Sequence, residues 1–63
     1  MNINKIYVTV DKKDYAGLYW LSKVKGQNYI NVSYEGIRRT SSYINENTDL
    51  LAKQLLTDLL KSI

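Results

Sequence analysis

Between Asn4 and Val10, apolar and polar side chains alternate, with Ile6, Val8 and Val10 on one side and Lys5, Tyr7 and Thr9 on the other. A period of two marks a strand with one buried face. Asp11-Lys12-Lys13-Asp14 reads as a charged turn, and Tyr15 to Val24 as a second strand. Leu18, Tyr19, Trp20 and Leu21 are apolar on both faces of that strand, which predicts a central or covered position. Lys25-Gly26-Gln27-Asn28 is the next turn, ambiguous in length by one residue. A one-residue slip exchanges the faces, so the pattern leaves open whether Trp20 or Tyr19 faces the core.

Two further β-rich runs meet at Glu35-Gly36, where glycine supplies the positive φ of a tight hairpin turn. A two-residue turn sets Tyr34 opposite Ile37, Val32 opposite Arg39 and Ile30 opposite Ser41. One face then carries Ile30, Val32, Tyr34, Ile37 and Tyr43; the other carries Asn31, Ser33, Arg38, Thr40 and Ser42, with Tyr29 and Ile44 at its end. After Tyr43 the period changes. Leu51, Ala52, Leu55, Leu56, Leu59, Leu60 and Ile63 fall within an arc of about 180° at helical spacing. Asn45 or Asn47 suits the N-cap, Glu46 and Asp49 the positive pole of the helix and Lys61 its negative pole. The predicted fold is α+β, a single domain over residues 1–63. A small antiparallel sheet of three to four strands over residues 5–44 (β-β-β-β-α) packs on one C-terminal amphipathic helix of about 46–62.

A chain of 63 residues supports only a thin core. It has no Cys and no His, which excludes disulfides, thiolate chemistry, imidazole bases and structural zinc of the usual kinds. No segment is apolar enough to cross a membrane and no secretory signal opens the sequence, so a cytoplasmic protein is expected. The helix arc, with Leu50 lying outside it, exceeds what a lone small sheet can cover. That predicts a homodimer sharing Leu50, Leu56, Leu60 and Ile63.

Catalytic residues and cofactors are not expected. Ser41-Ser42 has no neighbouring base, and Asp11 and Asp14 flank a turn, where Asp is favoured for local hydrogen bonding. A strand followed by Asp11, antiparallel strands, and a helix with Asp49 at its start loosely resembles the first half of the ribonuclease H fold. That resemblance implies carboxylates holding metal ions, here Asp11 and Asp49 with Glu46 as a third candidate. Two or three carboxylates make a weak magnesium site, so no metal is expected.

The charge of +3, from nine Lys and Arg against six Asp and Glu, fits an anionic partner. Arg38 and Arg39 follow one turn, Lys23 and Lys25 precede the neighbouring one, and Tyr29 lies between the two pairs in sequence. Alternation puts Arg38 with Asn31, Ser33 and Thr40. These are groups that pair with base edges or phosphates, although strands on a solvated face need the same residues for solubility.

Tyr29, Val32, Tyr34, Gly36, Arg38, Arg39 and Tyr43, followed by the capped helix, carry a family resemblance over residues 29–60. This stretch resembles the small three-stranded-sheet-plus-helix, arm-binding DNA-binding domains of phage and transposon integrases. Residues 1–14 add a strand which that family need not have, and the integrase catalytic domain is not among these 63 residues. The resemblance implies a module of mobile-element type that binds double-stranded DNA with its sheet face. A second expectation comes from the six Tyr and one Trp: a phage- or plasmid-encoded protein that binds and blocks a host protein.

Overall fold

The structure, a computed structural model, describes residues 2–63. Strands β1 (Asn4–Val10), β2 (Lys13–Val24), β3 (Gln27–Tyr34) and β4 (Ile37–Tyr43) are followed by one helix, α1 (Thr48–Lys61). The sheet is antiparallel in the order β1-β2-β3-β4. The α+β fold read from the sequence is the one observed. No helix among the described residues is long and apolar enough to cross a membrane.

The three connections between strands are two-residue turns. Their central residues have positive φ throughout: Asp11 52° and Lys12 66°, Lys25 51° and Gly26 78°, Glu35 48° and Gly36 83°. Positive φ at both positions defines the type I′ turn, whose twist matches that of the flanking strands. Two of the expected turns are therefore shorter than the sequence implied. Lys13 and Asp14 belong to β2, where Thr9 Oγ1 donates to Asp14 Oδ1 at 2.7 Å across the first hairpin. Gln27 and Asn28 belong to β3. The Lys25-Gly26 turn fixes the open register: Tyr19 stands opposite Val32 and Trp20 opposite Asn31. Tyr19 is thus on the core side, 8% exposed.

The long β2 staggers the sheet. β1 pairs with its residues 13–19, whereas β3 pairs with residues 18–24, so all four strands lie side by side only around Leu18 and Tyr19. Helix α1 covers one face there, packing on β1 and β3. The core comprises Ile6, Tyr19, Ile30 and Val32 from the sheet with Ala52 and Leu56 from the helix. Leu59 is equally buried, while Val8, Tyr34, Tyr43, Leu51, Leu55 and Leu60 pack around the centre. A buried side chain of this kind contributes about 1.5–3 kcal/mol.

Gly17 sets how closely the helix sits. A Cβ at this position would lie 2.9 and 3.0 Å from the two Leu56 methyls and 3.2 Å from the Ser33 carbonyl oxygen. Leu56 therefore rests on the backbone of β2 and is fully buried within one chain. This corrects the expectation that a lone sheet leaves it bare for a second copy. Leu60 is likewise half-buried against its own core, whereas Leu50 and Ile63 are 56% and 66% exposed.

The helix ends follow local chemistry. The N-cap is Asn47, the second of the two expected candidates; its Oδ1 accepts from the Asp49 and Leu50 amides at 3.1 and 3.2 Å. Asp49 accepts from the Tyr19 hydroxyl at 3.4 Å and pairs with Lys53 at 3.6 Å. That pair is solvent-exposed and worth little. At the other end Arg39 donates to Ser62 Oγ, and Ser62 Oγ donates to the Leu59 carbonyl, both at 2.8 Å.

Tyr15 and Tyr34 meet edge to face, 6.1 Å apart at 77°. Burial raises the Tyr34 pKa above its ordinary 10.0, reinforced by the Glu35 carboxylate and by Tyr15. The folded state favours the neutral phenol, so this contribution to stability is full below about pH 10 and is lost as pH rises through the raised value. Alkaline unfolding curves should accordingly show a steeper loss for the native chain than for Tyr34→Phe.

Overpacking at Gly17 provides a sharper check. Gly17→Val should cost about 1–3 kcal/mol in chemical denaturation. In a Leu56→Ala background, where the methyls are gone, the same change should cost distinctly less; equal costs in both backgrounds would mean that the two positions do not touch.

Candidate nucleic-acid interface

Directly opposed residues on antiparallel strands share a face. The register therefore places Lys5, Leu18, Ser33 and Arg38 in one row across all four strands, on the side away from the helix. The next row on that side is Trp20, Asn31 and Thr40, followed by Ser22, Tyr29 and Ser42. Tyr7 stands opposite Ala16 on the same face, and Val24 opposite Gln27. Much of this face is apolar and accessible: Tyr7 is 63% exposed, Val24 54% and Leu18 41%, with Trp20 and Tyr29 half-buried.

Among the described residues, Asn31 is the one buried polar side chain, 8% exposed, although it lies on the face that the helix does not cover. Its Nδ2 donates to the Trp20 carbonyl at 3.3 Å and to Ser22 Oγ at 3.1 Å. Its Oδ1 accepts from Thr40 Oγ1 at 2.8 Å. The amide is satisfied inside the sheet, as a buried polar group must be. Asn31 and Thr40, expected to meet base edges, spend these groups on each other. Beside them, Ser22, Val24, Tyr29, Asn31 and Thr40 line a shallow, open hollow of about 320 Å³.

The remaining expected residues divide. Arg38 is exposed and Ser33 half-buried in the four-strand row, and Lys25 occupies the turn at one end of the sheet. Arg39 and Lys23 lie elsewhere. Arg39 stands opposite Val32, on the helix side, and its guanidinium reaches Ser62; Lys23 stands opposite Asn28, also on that side. The cause is strand alternation, which sends adjacent residues to opposite faces.

Lys5, Tyr7, Leu18 and Trp20 complete the face and were not legible as part of it. A two-residue reading of Lys25-Gly26 would have found Leu18 and Trp20 by counting back from Val24. Lys5 and Tyr7 needed the first turn as well, and Asp11-Lys12 contains no glycine to signal it.

The strands of this face contain one carboxylate, Asp14, and it accepts from Thr9. Among the described residues the one ion pair is Lys53–Asp49, on the helix, so Lys5 and Arg38 have no acidic partner there. Also among the described residues, no three His, Cys, Asp or Glu side chains are grouped to hold a metal ion. Asp11 lies in a turn, and Asp49 faces Tyr19 and Lys53.

No protein-family model matches the chain, and neither does any curated protein or solved structure with which it was compared.

Removing the Asn31 amide strands Ser22 and Thr40 on a thin sheet. Asn31→Ala should lower stability by about 1–3 kcal/mol, measured by thermal melting, and a neutral result would show that the amide pairing is not structural.

Proposed function

We propose that the protein is a small, non-enzymatic DNA-binding module of phage or mobile-element type, acting in the cytoplasm through the uncovered face of its sheet. The observation that carries this reading is the row Lys5–Leu18–Ser33–Arg38, with cations on the two outer strands and no carboxylate between them. Lys25 adds a third cation at the end of the sheet. Cations without acidic partners attract phosphates, and release of their counterions drives binding. The pairing of Asn31 with Thr40 leaves few groups free for base edges. Backbone contacts therefore dominate, and sequence selectivity is low.

The residue inventory supports a binding role over catalysis, since there is neither His nor Cys to act as base or nucleophile. A second reading, a module that binds and blocks a host protein, draws support from the exposed Leu18 and Val24 on the same face.

Retention on duplex DNA should fall steeply with salt. Arg38→Ala and Lys25→Ala should each flatten that dependence by about one unit of slope. Arg39→Ala should change it far less, because Arg39 stands opposite Val32 on the helix side of the sheet, away from the open face. Retention unaffected by either of the first two changes would remove the open face as the binding surface. Salt-insensitive co-purification of a single host protein would favour the second reading.

A further inference from the structure

Resting on the DNA-binding reading, we propose that the ligand of the open face is an unpaired strand, whose bases stack on a diagonal band formed by Tyr7, Leu18, Trp20 and Tyr29. The register places these side chains on three adjacent strands of one face. Tyr7 stands one diagonal step from Leu18, Leu18 two residues from Trp20, and Trp20 one diagonal step from Tyr29. Each step is about 7 Å, from two residues of strand rise or a cross-strand diagonal. That is twice the ~3.4 Å rise of one strand in a duplex. Only a stretched strand with separated bases follows such a spacing.

Two further observations separate unpaired from duplex DNA. A duplex displays its bases by their edges, and two of the groups suited to edges, on Asn31 and Thr40, are engaged within the sheet. An unpaired strand displays base faces, and this surface offers rings, with Tyr7 the most exposed at 63%. Lys5 and Arg38 lie on the outer strands of the four-strand row, roughly 14 Å apart at the backbone from three strand spacings. They flank the band, where they can meet phosphates of a strand laid across it. Rings for bases beside cations for phosphates are the combination that single-strand binders use without sequence preference.

Trp20 is the only tryptophan of the chain, so its emission reports on the centre of the band. The full chain is titrated with oligo-dT of about ten nucleotides, a length within the reach of one small sheet. A duplex and an abasic deoxyribose-phosphate strand of the same length serve as comparators. Oligo-dT is expected to quench Trp20 and to bind about tenfold tighter than either comparator. Tyr7→Leu and Trp20→Leu should each weaken oligo-dT binding about tenfold while leaving binding to the abasic strand unchanged. Trp20→Phe, which keeps a ring on the half-buried site, should retain most of the affinity, and thermal melting verifies that each variant is folded. An abasic strand bound as tightly as oligo-dT, or a duplex bound more tightly without quenching, overturns the stacking proposal and leaves the cation-based DNA reading standing. Absence of binding to all three probes overturns both.

Discussion

The rest of this structure depends on the contact between the Leu56 methyls and the bare backbone at Gly17. A 14-residue helix has one small sheet on which to bury its apolar side, and β2 runs through the middle of that sheet. Any side chain at residue 17 would lift the helix away from β2. With hydrogen there, Leu56 reaches the sheet, and Ile6, Ile30 and Val32 on the flanking strands join the same cluster. Close packing matters most in small domains, where a lost methyl contact is a large fraction of the total stability.

That contact divides the sheet into two chemically different sides. The covered side is filled with Ile, Val and Leu and has its edge closed by local polar work: Tyr19 to Asp49 at the start of the helix, Arg39 to Ser62 at its end. The uncovered side has no second layer and solves its polar problem internally. Asn31 gathers Ser22, Thr40 and the Trp20 carbonyl into one network beside the indole of Trp20. What remains outward-facing is a mixture of rings, aliphatic side chains and cations. On the reading proposed above, such a surface meets a flexible anionic ligand with flat groups.

Most of the fold was legible because period and punctuation agreed. Alternation marked β1, and Glu35-Gly36 gave the β3–β4 register residue by residue. The switch to helical spacing after Tyr43 located α1 to within two residues of each end. The faces of β2 were not legible, because Leu18 to Leu21 is apolar without interruption and only the turn lengths decide which side each residue takes. Asp11-Lys12 forms a tight turn without the glycine that normally announces one. The close approach at Gly17 was invisible for a related reason: a glycine inside a strand looks like a weakness until the partner that fills its space is known. Of the candidate site, Arg38, Ser33 and Tyr29 followed from alternation alone. Arg39 was drawn in by its neighbour although alternation sends it to the other face. Lys5 and Tyr7 belong to the site only through pairing across the whole sheet.

The strand order β1-β2-β3-β4 has a kinetic consequence. Every strand pairs with its sequence neighbour through a two-residue turn, so contact order within the sheet is low and loop-closure costs are small. Hairpins of this kind form on the microsecond scale. The helix is the exception, because it must return from the far end of the chain to pack on β1. A growing polypeptide can therefore assemble its strands early, yet Ile6, Ile30 and Val32 remain uncovered until Leu56 arrives. During that interval both sides of the sheet are open. The nascent chain is most vulnerable to self-association just before its helix is available, when its hairpins are already in place.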